Sequence, residues 1–357
     1  MKTDIEDIYE LSPLQQGMLF DSLSKENAGL YVYQMSYALH GNLNLAAFEK
    51  AWQQILLRHQ ILRASFHWEG LEKPVQVVHK QATLPFQTQD WRALPEAEQR
   101  RRFAACIQEK QQGGFDFTQP PLLQIELIRL ADQVYQFVWS FHHLLLDAWS
   151  TSLLLKEALD YYHAFCKGET LQLKRPRPYR EYIDWLQQQD AANEEAFWRR
   201  ELQGLTTPTP LTVGRLQAEA RGPVVNYDEQ HFKLAAAETA ALRVFAQQQQ
   251  LTLNTVFQGA WALLLSRYSG EADVLFGNIV SGRSVPLAGI EAMVGMFVNL
   301  LPARVQVPAA EKLLPWLKQL QAKQVEMRQY EFSPLVQVKK WSALPANAPM
   351  FESILIF

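Results

Sequence analysis

The sequence predicts an α/β or α+β sandwich of sheets and helices, and three observations carry that expectation. Long stretches place apolar residues at helical spacing, and short runs rich in β-branched and aromatic residues alternate with them. Glycine, proline and asparagine stand at the joints between the two kinds of segment. Apolar residues fill 48% of the 357 positions, with ten tryptophans, twelve tyrosines and nineteen phenylalanines, enough for substantial cores. A chain of this length forms one large or two medium domains.

Val32 to Leu39 is the first expected strand. Asn44 then caps a helix that buries Phe48, Trp52, Ile55 and Leu56 on one broad face. Glu96 to Lys110 is a charged amphipathic helix that stops at Gly113-Gly114. Leu122–Leu130 and Val134–Trp139 are strands joined as a hairpin through Ala131-Asp132-Gln133. Ser150 or Thr151 opens a helix carrying Leu154, Leu155, Ala158, Leu159 and Tyr162, with Gly168 beyond its end. After the turn-rich Lys174–Pro178, Tyr179 to Leu202 is helical with a break near Asp190.

The stretch from Gly204 to Pro223 holds Pro208, Pro210, Gly214, Gly222 and Pro223 without periodicity, and is expected as a crossing or surface loop. Strands follow at Val224–Phe232, Val274–Val280, Phe297–Val307 and Phe351–Phe357. Asn254 to Tyr268 is a nearly all-apolar helix closed by Gly270, and Glu311 to Arg328 a more polar one. The boundary between two lobes is placed near residue 175, giving residues 1–175 and 176–357.

Thirty-four basic against thirty-seven acidic residues leave a net charge of −3. No contiguous basic track suggests a nucleic-acid groove, and Arg100-Arg101-Arg102 is a solvated helix face. Cys106 and Cys166 have neither metal nor disulfide spacing, which favours a reducing compartment. The acidic N-terminus lacks the layout of a signal peptide, and apolar stretches such as Ala260–Leu265 are too short to span a bilayer. The expectation is a cytoplasmic, monomeric protein without nucleic-acid or membrane partners.

The segment most charged with chemistry is Ser140-Phe141-His142-His143-Leu144-Leu145-Leu146-Asp147-Ala148-Trp149-Ser150, where a strand gives way to a helix. Three readings compete. One imidazole handles a proton in a cleft while Asp147 makes a buried ion pair that fixes the loop. Alternatively His142, His143 and Asp147 ligate a metal, although no third ligand with recognisable spacing is near. In the third reading both histidines are satisfied core groups. Trp149 is expected as a core anchor, and Tyr179, Tyr182 and Trp185 form a packing stripe. Arg58 and Arg63 have a plain reading as helix-end charges. No Gly-x-Ser-x-Gly elbow is present, and Gly277 to Arg283 reads as a strand and turn presenting Ser281 and Arg283, not as a phosphate loop.

Six blocks in order decide among these readings. They are Ser12-Pro13-Leu14-Gln15-Gln16-Gly17-Met18-Leu19-Phe20, Arg58-His59-Gln60-Ile61-Leu62-Arg63-Ala64-Ser65-Phe66 and the His142-to-Asp147 segment. Then come Tyr179-Arg180-Glu181-Tyr182-Ile183-Asp184-Trp185, Val294-Gly295-Met296-Phe297-Val298-Asn299-Leu300-Leu301-Pro302-Ala303-Arg304 and Arg328-Gln329-Tyr330-Glu331-Phe332-Ser333-Pro334-Leu335. From about Leu11 to the last residue the chain resembles a condensation domain of a nonribosomal peptide synthetase.

The resemblance implies two lobes, each like chloramphenicol acetyltransferase, arranged as a V around a tunnel. It implies amide formation between a donor aminoacyl or peptidyl thioester and the amine of an acceptor aminoacyl thioester. Both are held on the 4'-phosphopantetheine arms of carrier proteins, so no cofactor is bound by the chain itself. An upstream donor carrier and a downstream acceptor carrier with its adenylation domain are the implied partners. The start at Met1, shortly before the first block, adds the expectation of a donor carrier arriving from a separate protein.

On this resemblance His143 is the catalytic histidine, a base or a positioning group for the acceptor amine, and His142 packs in the core. Asp147 is the structural aspartate, with Arg283 as the first candidate for its cation and Arg63 the second. Asn299 is a lobe-contact or crossover residue. The first and last blocks resemble members joining two L-residues. Two departures stand out. Ala148 replaces the usual glycine, which forbids an easy positive φ, and the chain is shorter than a full family domain, so a C-terminal truncation is expected. The alternatives are a coenzyme A-dependent or ester-forming acyltransferase of the same superfamily and a non-catalytic domain that recruits carriers or other partners.

Overall fold

A computed structural model describes residues 4–23, 29–211 and 229–357. The chain divides into two units, Met1–Gln189 with Pro286–Phe297, and Asp190–Val285 with Val298–Phe357. The first unit therefore runs past the expected boundary at residue 175 and takes back a short excursion from the second half.

In the first unit β1 (Ile5–Glu10), α1 (Pro13–Ser22), β2 (Val32–His40), α2 (Leu45–Arg58), β3 (Ala64–His67), β4 (Val75–His79) and β5 (Phe86–Asp90) come first. They are followed by α3 (Glu96–Gly113), β6 (Leu123–Ala131), β7 (Val134–His142), α4 (Ala148–Cys166) and α5 (Arg180–Leu186). A four-stranded sheet has the order β2-β7-β6-β5, and a smaller antiparallel one the order β1-β4-β3. The expected hairpin is present, with β6 and β7 paired from Leu123↔Phe141 to Ala131↔Val134.

Local chemistry explains where α2 begins. The Asn44 side chain accepts the Ala47 N–H at 3.1 Å, satisfying a donor that the first turn would otherwise orphan. Its apolar face then meets β7, with Trp52 4.9 Å from Trp139 and 5.5 Å from Phe137 between ring centroids. All three rings are fully buried, and that layer anchors the strand that ends at the histidines.

The second unit contains α6 (Ala191–Glu201), α7 (Ala236–Gln248), α8 (Leu253–Ser269), β8 (Asp273–Val280) and β9 (Asn299–Gln306). Then come α9 (Leu313–Met327), α10 (Leu335–Trp341) and β10 (Ile354–Leu355). Its sheet has the order β10-β8-β9, with β9 antiparallel and β10 parallel to β8. Strand alternation lets β8 serve two cores. Val274 and Phe276 pack with Ala262, Leu265, Trp316 and Leu317, whereas Leu275 joins Phe197, Trp198, Leu202 and Val338.

The break near Asp190 is a helix start, since Asp190 caps α6 by accepting the Ala192 N–H at 2.9 Å. Gly270 ends α8 at φ 78°, a left-handed conformation suited to glycine. The strand expected over Phe351–Phe357 shrinks to Ile354–Leu355, and Ile356 and Phe357 are exposed. Of the strand expected over Val224–Phe232, residues 224–228 lie outside the described residues and 229–232 have no regular structure. Residues 212–223 of the expected loop also lie outside them, while 204–211 carry neither helix nor strand. Among the described residues no helix is long and apolar enough to cross a membrane.

Candidate active site

The strand β7 ends at His142 and α4 begins at Ala148, so His143 to Asp147 form the joint. Neighbouring residues of an extended strand point to opposite faces, which separates the fates of the two histidines. His142 is fully buried. Its Nδ1 accepts the Leu144 N–H at 3.2 Å, so a neutral ring carries its proton on Nε2. That nitrogen lies 3.3 Å from Ser22 Oγ, whose hydroxyl donates to the Met18 carbonyl at 2.6 Å. Phe117 meets the ring edge-on at 5.0 Å. His142 is a satisfied core group.

Burial, reinforced by the neighbouring His143, pushes the His142 pKa from 6.5 down to about 3. The unfolded chain takes up that proton near pH 6.5 and the folded chain only near pH 3. Stability is therefore lost as pH falls through this window, by up to about 2 kcal/mol between pH 6.5 and 5. Urea midpoints at pH 7 and pH 5 should show the drop, and His142→Gln should shrink it. An undiminished drop in that variant contradicts the assignment.

His143 is half-buried and differently wired. Its backbone N–H donates to the Tyr31 carbonyl at 2.9 Å, extending the pairing of β2 with β7. Its Nδ1 lies 2.5 Å from the Leu146 carbonyl oxygen. A carbonyl only accepts, so Nδ1 holds the proton and Nε2 keeps a lone pair. Nε2 has no hydrogen-bond partner among the described residues. The His143 pKa is lowered from the usual 6.5 by burial, which the Leu146 carbonyl and the Asp147 charge only partly offset. At neutral pH the group is a neutral imidazole with a free basic nitrogen.

Asp147 starts α4, in place of the expected Ser150 or Thr151. Its Oδ1 accepts the Ser150 N–H at 2.7 Å and its Oδ2 the Phe297 N–H at 3.2 Å. The Asp147 N–H donates to the Gly295 carbonyl at 3.2 Å. Ser150 Oγ donates to that same carbonyl at 2.8 Å and lies 3.0 Å from the Gly295 N–H. The histidine loop and the start of α4 are thus stitched to the Gly295–Phe297 block by four short contacts, all at buried groups. Ala148 is the first residue of α4 and is exposed, and among the described residues Gln250 is the non-glycine residue with positive φ. The backbone conflict expected from losing glycine there does not arise.

The Tyr179 block closes over this seam. Tyr179 is buried, donates from its hydroxyl to the Met296 carbonyl at 2.5 Å and meets Phe297 edge-on at 5.1 Å. Tyr182 adds its ring 4.7 Å from Phe297. A Cβ on Gly295 would overlap the Tyr179 ring, so the close approach requires glycine. Gly295→Ala is expected to destabilise the protein by about 2 kcal/mol through overpacking, read as a lower Tm. A change within about 0.5 kcal/mol contradicts this packing.

The first block acts from the other side. Ser12 and Gln15 form a reciprocal cap on α1, and Gln15 Nε2 donates to the Leu144 carbonyl at 2.8 Å. Gln15 is fully buried, and its role as a strut for the histidine loop was missed at the sequence level. The capping spacing Ser-x-x-Gln was visible there; the long-range bond was not.

Arg63 does not serve Asp147. It is held by Glu6 at 2.7 Å and by the carbonyls of Leu56 and His79, so this buried guanidinium braces α2 against the β1-β4-β3 sheet. Arg58 likewise pairs with Glu157 at 2.8 Å, on which His59 Nε2 also converges at 2.7 Å. Both arginines line a cavity of about 640 Å³ with Arg175, Arg177 and Tyr179, and His143 is not part of it. Trp149, expected in the core, is 53% exposed and donates its indole N–H to the Glu291 carbonyl at 2.9 Å.

Asn299 and Arg283 belong to the second unit. Asn299 is buried and donates to the carbonyls of Glu331 at 2.9 Å and Ser333 at 2.8 Å, so it braces the last block. The Glu331 carboxylate accepts the Ser284 N–H at 2.7 Å, fixing the turn that carries Arg283. Burial raises the Glu331 pKa. Among the described residues no group of three or more His, Cys, Asp or Glu is placed to hold a metal ion.

Comparison with known proteins shows the family. Residues 5–357 match the family model described as the condensation domain. Two linear gramicidin synthase polypeptides of Brevibacillus parabrevis are 44% and 45% identical over 353 residues, 99% of this chain. The matched segment is 4% of the length of the first and 7% of the second. The chain thus spans a small part of the curated relatives it matches. A mutant of the starter condensation domain of rhizomide synthetase, solved with C8-CoA, superposes with a TM-score of 0.81 at 22% identity. That match covers 98% of this chain and 78% of the solved one, and shows the shared mixed α/β fold. With the histidine loop, its struts and the family blocks all in place, the chain belongs to the condensation domain family of nonribosomal peptide synthetases.

Proposed function

We propose that this chain joins a donor aminoacyl or peptidyl thioester to the amine of an acceptor aminoacyl thioester, with both substrates on the 4'-phosphopantetheine arms of carrier proteins. The observation that carries the reading is the wiring of His143, a neutral imidazole with Nδ1 tied to the Leu146 carbonyl and Nε2 left free. The acceptor nitrogen attacks the donor thioester carbonyl and a tetrahedral intermediate forms. Nε2 accepts a proton from that nitrogen, the C–S bond breaks, and the sulfur leaves as the donor carrier's thiol after receiving a proton. A C–N bond replaces a C–S bond, and the lengthened chain rests on the acceptor carrier.

The remaining residues position this group. Asp147, Ser150 and Gly295 hold the loop, Gln15 supports it at Leu144, and His142 fills the core beneath it. Supporting partners are an upstream donor carrier and a downstream acceptor carrier with its adenylation domain, by likeness to the long synthetases that share this segment. The opening Gln15-Gln16-Gly17-Met18-Leu19-Phe20 and the Glu331-Phe332-Ser333-Pro334-Leu335 block support the subclass that joins two L-residues.

The test is to load donor and acceptor carriers, mix them with the chain and follow dipeptidyl acceptor carrier by intact mass spectrometry. Product that depends on the chain supports the reading. Product only from a free coenzyme A thioester donor would support the acyltransferase alternative, and carrier binding without product would support recruitment.

A further inference from the structure

The aromatic ring beside the catalytic imidazole has no part in the loop's wiring. Tyr33 lies on β2, the edge strand of its sheet, in register with Phe141. Alternation along β7 puts Phe141 and His143 on one face, and the Tyr33 ring covers both. It stacks on Phe141 at 6.1 Å and 23°, and lies 4.6 Å from the His143 ring at 58°. Phe141 is buried to 3% exposure, yet Tyr33 is 50% exposed. Its hydroxyl has no hydrogen-bond partner among the described residues. A large apolar ring held firmly by one face and open on the other is a wall with one side unused.

From this juxtaposition we infer that Tyr33 is a specificity-determining residue, whose exposed ring receives the side chain of the acceptor amino acid. The inference rests on the amide-forming reading above. When Nε2 accepts a proton from the acceptor nitrogen, the carbon next to that nitrogen is the substrate carbon nearest the imidazole. Its side chain therefore enters the space flanking the ring, where Tyr33 stands. The donor side chain lies farther off, beyond the forming C–N bond. An apolar acceptor side chain gains contact with the phenol ring, and glycine gains none.

The test compares kcat/KM for leucyl and glycyl acceptor carriers with one fixed donor, in the wild type, Tyr33→Ala and Tyr33→Phe. Removing the ring should lower the leucyl-to-glycyl ratio by roughly tenfold, the scale of a lost apolar contact. Tyr33→Phe keeps the ring and should keep the ratio. A Tyr33→Ala ratio equal to wild type would overturn the inference and leave Tyr33 as scaffold for His143. A ratio lowered as much by Tyr33→Phe would also overturn it, because the hydroxyl and not the ring would then select. Changing the donor from glycyl to leucyl should give the same ratio in wild type and Tyr33→Ala, and a Tyr33-dependent donor ratio would place the wall on the wrong substrate. If the wild type forms no dipeptide with either acceptor, the amide-forming reading itself fails, and the role given to Tyr33 falls with it.

Discussion

Replacing His143 by alanine is expected to slow dipeptidyl-carrier formation by about 10²- to 10⁴-fold, the range for losing a positioned proton acceptor. The ring is half-buried and its side-chain hydrogen bond is a single contact to the Leu146 carbonyl, so the fold should survive its loss. Single-turnover rates read by mass spectrometry, with Tm measured beside them, separate the two effects. A variant that keeps its Tm and loses its rate fits a proton-handling role. Equal rates in wild type and variant would remove His143 from the chemistry.

Asp147→Ala should damage both stability and rate. The substitution removes the cap on Ser150 N–H, worth about 1 kcal/mol, and leaves the buried Phe297 N–H without an acceptor, at about 1–3 kcal/mol. A loss of roughly 2–4 kcal/mol follows from those two terms, and the Tm should fall by several degrees. Displacing the loop also moves His143, so the rate should drop by about 10²-fold in the variant that remains folded. Asp147→Asn keeps an oxygen for the cap and should lose less stability. An Asp147→Ala variant as stable as wild type would overturn the seam described here.

Local signals in this chain were legible and long-range ones were not. Asn44, Asp190 and Gly270 mark helix ends through their own side chains or backbone freedom, and the β6–β7 hairpin follows from one apolar register broken by a turn. The strands β1, β3, β4 and β5 escaped because they are short, and β5 is exposed along nearly all its length, which blurs alternation. Asp147 as a cap was within reach, since a side-chain acceptor stands three residues before Ser150. It was obscured by reading the aspartate as an ion-pair group. Trp149 was misplaced because an aromatic residue at a helix start was assumed to point inward, whereas α4 turns it outward against Glu291.

The site itself was half legible. The two histidines and Asp147 stood out by type and spacing, but which histidine keeps a free nitrogen depends on carbonyl and amide groups that no spacing reveals. The Leu146 carbonyl fixes the proton of His143, and the Leu144 N–H fixes that of His142. Gln15 and Tyr179 reach the loop or its seam from far along the chain, so their motif blocks were recognisable while their purpose was not. Arg63 shows the opposite error. The resemblance offered it as the second candidate for the cation of Asp147, whereas β1 supplies Glu6 as its carboxylate.

The proposed chemistry turns on the protonation of one ring. Nitrogen-15 spectra of the His143 imidazole at pH 7 should show Nδ1 carrying the hydrogen and Nε2 as a bare, basic nitrogen. A ring protonated on Nε2 alone, or on both nitrogens, would leave no acceptor for the substrate proton and contradict the mechanism.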